Sequence, residues 1–478
     1  MPTRAVSSPM SEQQRIPVLD GEALDALAER VRGELLLPGD QGYDEARALW
    51  NGMIDRHPAV IVRATGTADV VAGVNFAREQ ELELAVHGGG HNVAGNATTD
   101  GGVMLDLSGM SGVFVDPAAR TARVEGGATL GDVDHETGLF GLAAPLGVVS
   151  ATGVAGLTLN GGYGHLSREH GLACDNVRSM QVVTADGEVR TASADDHPDL
   201  FWALRGGGGN FGVVTSFEFD LQAVGEVYVP FSWFHADDAP TVLGRVPEWA
   251  ESAPLAAGVL SFVGHVPELA EFPASAWGEP AIALLGSYRG DVAEGPAAFA
   301  PLVEGVEPVA DMSGPMRHEA LQRLLDEDYP DGLRYYWTSI FLEELTDEVV
   351  ELVVRYNESA PSALSTIDLW VLGGAVAGRS QDATAFYHRD KPFMLNFEAN
   401  WTDPADDDAN VAWAREGFAE VETLPGASGR YGNFPGLAED PVELLFGENY
   451  DRLLEIKRRY DPENLFHRNQ NVRPAPAV

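Results

Sequence analysis

Three glycine clusters constrain this chain more than any other feature: HGGGHNVAG at 87–95, TGVAGLTLNGGYG at 152–164 and RGGGGNFG at 205–212. Adjacent glycines carry no Cβ, so a ligand or a second backbone strand can approach closely while successive N–H groups face anionic oxygens. Three such loops in the first half of the chain exceed what turns require. They predict a site for an extended, anionic ligand.

The third cluster holds Gly207, Gly209 and Gly212 at the G-x-G-x-x-G spacing of dinucleotide folds, but a helical segment, PDLFWAL (198–204), precedes it and a strand-like one, VVTSFEFDL (213–221), follows. That motif needs the opposite order, so a Rossmann reading is disfavoured. His87 and His91 are four apart, which would suit a metal on a helix, yet Gly88, Gly89 and Gly90 between them oppose a helix, and no metal site is expected. The chain has no G-x-x-x-x-G-K-[ST], H-E-x-x-H or G-x-S-x-G motif and a single cysteine, Cys174, so phosphotransferase and hydrolase readings lack their signatures.

Around the clusters the pattern is α+β. Asp20 caps a predicted opening helix with Leu24, Leu27, Val31 and Leu35 at near-helical spacing. Short apolar strands (59–63, 82–87, 103–107, 121–127, 179–186) then alternate with a helix at 67–80. From about 225 the strands 227–234, 258–266 and 367–374 alternate with acidic amphipathic helices such as 345–359, which predicts a sheet with helices on one face. The expected division is a lead-in at 1–53, a cofactor domain at 54–224, a substrate domain at 225–435 and a C-terminal segment, 436–478, that returns to the cofactor domain.

The formal charge of −42, from 73 acidic against 31 basic residues, argues against a nucleic-acid partner, because phosphate neutralisation needs clustered Lys and Arg. Such a chain repels itself in dilute buffer, whereas in molar salt the screening length falls to about 3 Å, so adaptation to high salt is expected. Asp403, Asp406, Asp407 and Asp408 read as a solvated face. No apolar run could span a bilayer, the first 21 residues lack a signal-peptide core, and the expected location is cytoplasmic. Oligomeric state is not legible.

Taken together, HGGGHNVAG, Thr152 to Gly164, GLACDNV (171–177), PDLFWALRGGGGNFGVVTSFEF (198–219) and NYDRLLEIKRRYDPENLFHRNQN (449–471) resemble the berberine-bridge-enzyme-like FAD-linked oxidoreductases. The resemblance implies a two-domain, p-cresol-methylhydroxylase-type FAD-binding fold whose antiparallel substrate sheet, covered by helices, closes over the flavin. It also implies covalent attachment of the flavin 8-methyl carbon to His91. The alternative for His91 is a turn histidine beside noncovalent FAD. His87 stands where relatives carry Arg, and Val149 stands where many carry a second, cysteine attachment, so a single link is expected.

By the same resemblance, Gly88, Gly89, Gly90, Asn92 and Gly95 hold the pyrophosphate side, and Thr152, Gly153, Gly156, Asn160, Gly161 and Gly162 line the dinucleotide. Asp175, Asn176, Val177, Gly212 and Val214 are expected nearer the adenosine and ring edges. Asn396, Glu398 and Asn400 share one face of a strand by the two-residue period, and Glu398, buried against a flavin, would have its pKa raised toward that of a useful base. The alternative is a solvent-facing polar row with Leu395, Phe397 and Ala399 turned inward. Tyr431 and Asn433 resemble the family's Tyr-x-Asn strand, placing Tyr431 beside Glu398 and Asn396 as a catalytic candidate and Asn433 by the cofactor. Asn469 and Asn471 either contact the flavin or cap the preceding turn, and Tyr163 and His165 either serve the site or pack. The implied function is oxidation of a small organic substrate, with O2 or another electron acceptor as the second partner. A noncatalytic flavin-binding protein is the rival from another class.

Overall fold

The computed structural model describes residues 19–437 and 442–474. The start of the lead-in, residues 1–18, and residues 438–441 and 475–478 of the C-terminal segment lie outside the described residues. The opening helix covers Gly21–Ala28, with the Asp20 carboxylate accepting from the Ala23 N–H. It is shorter than its apolar spacing predicts. A side chain at Gly33 would collide with the Arg63 carbonyl, and the chain passes there into a strand, Glu34–Leu36, paired with Val60–Arg63.

The Gly-rich half carries two sheets. Val60–Arg63, Val103–Asp106 and Leu84–His87 run parallel, with Glu34–Leu36 antiparallel at the edge. The second sheet, wholly antiparallel, is centred on Val213–Asp220, which pairs with Thr121–Glu125 on one side and Val177–Val183 on the other. The helix Thr67–Glu79 brings Val70, Val74 and Phe76 into one core with strand residues Val62, Leu105 and Val213.

A ten-stranded sheet starts at Glu226 and runs to Ser428. The segment read as one strand at 227–234 forms two, Glu226–Val229 and Phe231–His235, because Pro230 has no N–H to give a ladder. The helices Asp347–Glu358 and Asp407–Glu422 cover one face, packing Val350, Val353, Trp413 and Phe418 against Leu395, Phe397 and Ala399. The other face turns toward the Gly-rich half. The helix Tyr450–Tyr460 comes back to the first half, where Leu453, Ile456 and Tyr460 share a core with Leu200, Phe211 and Phe217.

Beneath it, Lys457 and Asp461 form an ion pair with no exposed surface. The Lys457 ammonium also donates to the carbonyls of Asn210 and Phe466, and Asp461 accepts from the N–H groups of Leu465 and Phe466. Of the acidic group at 403–408, Asp403, Asp406 and Asp408 are exposed, but Asp407 accepts from Arg334 and from the Trp401 indole. It is a packing group rather than part of a solvated face. No helix among the described residues is long and apolar enough to cross a membrane.

Candidate active site

Between the Gly-rich half and the open face of the large sheet lies a cavity of about 250 Å³. A single ordered water needs only ~10–15 Å³, so this is room for a ligand. Gly88, Gly89, Gly90, His91 and Asn92 line it from the first loop, and Thr152, Gly153, Gly156 and Asn160 from the second. Gly209, Gly212 and Val214 line it from the third loop, and Asn469 and Gln470 from the tail. A Cβ at Gly89 would stand 2.5 Å from Gly153, so the first two loops touch only because both positions are glycine. At Gly156 and Gly209 a Cβ would meet nothing within 4 Å, so neither packing nor a positive φ requires glycine at these cavity-lining positions.

His91 follows Gly90, which holds a φ of +69°, at the end of the turn after strand Leu84–His87. Its ring lies parallel to the Trp50 indole, centroids 4.5 Å apart, and Trp50 in turn stacks on Tyr335 at 3.6 Å. Nε2 is buried with no hydrogen-bond partner, and desolvation lowers the imidazole pKa to about 4, so the ring is neutral near pH 7. His87 packs against Gly90, and burial lowers its pKa too. It brings no positive charge to the loop. Val149 lines the cavity, while Cys174 is fully buried outside it, its thiol pKa pushed up by burial to about 12.

From the opposite wall the large sheet presents two carboxylates. Strand Phe393–Trp401 is buried on both faces, which removes the solvent-facing alternative for Asn396, Glu398 and Asn400. Glu398 lines the cavity; its Oε2 accepts from the Tyr329 hydroxyl at 2.8 Å and its Oε1 from the Asn396 amide at 2.7 Å. Asn396 does not itself line the cavity, because its amide is spent on Glu398. On the neighbouring strand Thr366–Val371, Asp368 is in register with Asn396, which sets it diagonal to Glu398 on the same face. The two carboxyls are hydrogen-bonded to each other, and Asp368 also accepts from the Thr366 hydroxyl. Burial raises both pKa values, Asp368 to about 7 and Glu398 well above its usual value, the latter also through the charge of Asp368. A hydrogen bond between two carboxyls needs a proton on one of them, which is the state that burial of both favours.

Sequence reasoning missed Asp368. Its one signal is a lone acid in an otherwise apolar run, IDLWVL. Tyr329, Trp50 and Gln470 carried none.

Tyr431 lines the same cavity from irregular chain just before the turn at Gly432 and Asn433, not from a strand. Its hydroxyl accepts from the Tyr163 N–H at 3.0 Å and the Asn433 amide at 2.9 Å, and burial pushes its pKa up to about 12. Tyr163 lines the cavity with its hydroxyl bonded to the Val371 carbonyl, whereas His165 is buried away from it.

Other expected contacts sit elsewhere. Asp175 is a buried partner of Arg389, bonded through both oxygens, and Asn176 donates to the carbonyls of His170 and Leu172. Val177 opens a core strand, so this triplet is structural and does not reach the cavity. Gly161 and Gly162 take positive φ against Phe386 and Ala173, Gly95 packs on Ile54, and none of them lines the cavity. Asn471 is also outside it; Asn469 lines it while capping the Phe466 carbonyl.

A cavity framed by Gly-rich loops and closed by a carboxylate-bearing antiparallel sheet fits an FAD-dependent oxidoreductase. A buried, unpartnered imidazole and backbone-lined loops fit that cofactor. Residues 58–193 match the family model described as FAD binding domain, and residues 430–473 the one described as berberine and berberine like. An FAD-linked oxidoreductase of Dictyostelium discoideum is 32% identical over 95% of this chain and 97% of that protein. The 6-hydroxy-D-nicotine oxidase structure from Arthrobacter nicotinovorans superposes with a TM-score of 0.82 at 28% identity, covering 93% of this chain and 98% of the other. Glucooligosaccharide oxidase from Acremonium strictum, described with a 6-S-cysteinyl, 8α-N1-histidyl FAD, superposes with a TM-score of 0.81 at 25% identity over 95% and 99% of the two chains. The chain belongs to the berberine-bridge-enzyme-like FAD-linked oxidoreductases.

Proposed function

We propose that this protein is an oxidase that carries FAD on a single bond to His91, oxidises a small organic substrate and passes the electrons to O2, giving hydrogen peroxide. The observation that carries the reading is one cavity lined both by the neutral, unpartnered His91 among its Gly loops and by the Asp368–Glu398 pair of the large sheet. Bound FAD supplies the acceptor for a hydride from a carbon next to oxygen or nitrogen.

The protein's residues do the rest. Backbone N–H groups of Gly88 to Asn92 face the pyrophosphate, and Val149, in the place of a second attachment, leaves His91 as the only tether. Glu398, acting through its hydrogen bond to Asp368, takes the substrate proton; Asn396 and Tyr329 hold it in place. Tyr431 presents its phenol oxygen to the same space, oriented by Asn433 and the Tyr163 N–H. The aromatic wall of Trp337, Trp370 and Phe434 excludes water, which strengthens every charge interaction inside.

Acid precipitation tests the tether: yellow colour stays in the pellet of the wild type and leaves with the supernatant in His91→Ala. Anaerobic reduction by substrate followed by air tests the acceptor, and slow reoxidation would assign a dehydrogenase using another acceptor. Glu398→Gln tests the base, since an unchanged rate of flavin reduction across pH would remove Glu398 from that role. The charge of −42 supports a working environment of high salt.

A further inference from the structure

We propose that the protein binds a divalent phosphate-type oxyanion, as free phosphate or as a phosphate monoester, between the guanidinium groups of Arg205 and Arg379, at a junction of its two halves outside the Gly-loop cavity. The inference goes beyond the oxidase reading and depends on no part of it.

Three arginines meet there with one acid. Asp175, its side chain fully buried, pairs through both oxygens with Arg389 at 2.7–2.9 Å and stands 3.5 Å from Nε of Arg379. Arg205 makes no ion pair among the described residues; its Nε donates to the Phe201 carbonyl, and its guanidinium lies 4.1 Å from the Phe201 ring centroid. Burial works against the charged form of Arg205, and the charges of Arg379 and Arg389 add to that, while Cys174 and Asp175 oppose it. The Cys174 thiol, its pKa pushed up by burial to about 12, is neutral near pH 7 and leaves Asp175 as the acting anion. Three positive charges against one negative leave a local excess of two, in a chain whose formal charge is −42.

That excess has donors to offer. Arg389 spends its terminal nitrogens on Asp175 and the Thr384 hydroxyl. The terminal nitrogens of Arg205 and Arg379 donate to no group among the described residues. Each presents a planar fork that matches two oxygens of a tetrahedral oxyanion, and a partly buried charge left without a counter-charge is costly. A dianion balances the excess of two, which chloride or a single carboxylate does not. The Arg379 side chain is 43% exposed, so the ion has access from solvent. None of Arg205, Arg379 and Arg389 lines the Gly-loop cavity, and a cofactor held there leaves them free.

The position gives the ion a structural effect. Arg205 follows the helix Pro198–Leu204 of the Gly-rich half, whereas Arg379 lies on the connection between strands Thr366–Val371 and Phe393–Trp401, which carry Asp368 and Glu398. A bridging anion replaces repulsion across the junction by attraction and fastens that connection to the Gly-rich half.

Calorimetric titration of the FAD-loaded enzyme with potassium phosphate at about pH 8, where the dianion predominates, is expected to show one saturable site against potassium chloride of equal ionic strength. The urea midpoint should rise with phosphate and level off over the same concentration range. Arg379→Gln should bind phosphate at least about tenfold more weakly, the loss expected for charge-assisted hydrogen bonds, and its midpoint should no longer respond. Arg30→Gln, at an exposed position just after the opening helix, should bind as the wild type does. Glycerol 3-phosphate separates the two sources: binding within about threefold of phosphate supports a monoester ligand, and much weaker binding supports the free ion. Equal effects of phosphate and chloride at equal ionic strength, or equal phosphate binding by the wild type and Arg379→Gln, overturn the inference. Neither outcome touches the oxidase reading, which fails separately if dithionite-reduced enzyme is not reoxidised by air.

Discussion

Replacing Lys457 by Met should cost this protein about 3–5 kcal/mol of stability, the range for breaking a buried ion pair from one side. The side chain has no exposed surface, and its ammonium makes three hydrogen bonds of 2.7–2.8 Å, to Asp461 and to the carbonyls of Asn210 and Phe466. Methionine matches the stem in volume and removes the lysine's own desolvation cost, so the loss comes from what is left behind. Asp461 would stay buried and charged, held only by the N–H groups of Leu465 and Phe466, with two carbonyls also stripped of their donor. Native stability totals roughly 5–15 kcal/mol, so the variant gives up a large share of it. With a urea dependence near 2–3 kcal/mol per molar, the midpoint should fall by about 1–2.5 M, read by tryptophan and flavin fluorescence in parallel. Adding Asp461→Asn removes the orphaned charge yet keeps an oxygen for the two N–H groups, and should return at least about 1.5 kcal/mol in a double-mutant cycle. A Lys457→Met loss under about 1 kcal/mol, or a double variant equal to the sum of the singles, would refute the argument that the unpaired charge sets the cost.

Three further outcomes follow from the same structure. Tyr329→Phe deletes a donor that favours ionised Glu398, so the pair's pKa rises and the acid limb of kcat/KM should move up by about one pH unit, with rates near wild type at pH 9. Asp134, buried with one oxygen unpartnered, has its pKa raised by desolvation to about 7. A carboxyl raised in the fold contributes its stability below the unfolded value and loses it as pH climbs from about 4 through 7, so Asp134→Asn should change little at pH 4 and stabilise by up to about 4 kcal/mol at pH 8 in denaturant titrations. The acidic surface predicts a melting temperature that rises steadily from about 20 mM to 2 M potassium chloride, and a flat response would remove the case for salt adaptation.

What could be read from the sequence was whatever a short stretch of chain decides by itself. Glycine at 89, 90 and 153 is demanded by backbone geometry or by close approach of a second loop, and strand 393–401 shows its faces through a two-residue period. Among the residues expected at the cavity that do not line it, Asp175 is held by a partner distant in sequence. Asp175, Asn176 and Val177 follow a Gly-rich loop and look like cofactor contacts, but Arg389, 214 residues on, claims the carboxylate. Asp368 becomes chemically interesting only when sheet register sets it diagonal to Glu398, and no pattern within either strand encodes that register.

The same logic explains why the lead-in matters more than its sequence suggests. The imidazole and the carboxyl pair belong to different halves of the molecule, so their separation depends on whatever fixes one half against the other. Trp50 stacks on His91 and donates from its indole to the carbonyl of Tyr329, the residue whose hydroxyl holds Glu398. Asn51, fully buried, bonds the carbonyls of Val93 and Tyr335 and accepts the Tyr335 N–H, and the Gly52 N–H meets the Leu333 carbonyl. Three consecutive residues thus tie the loop of His91 and Val93 to the segment that carries Tyr329. A shift of that segment would change the distance between His91 and the carboxyl pair without touching either group, and where two groups act together a misplacement of about 1 Å can cost a hundredfold in rate.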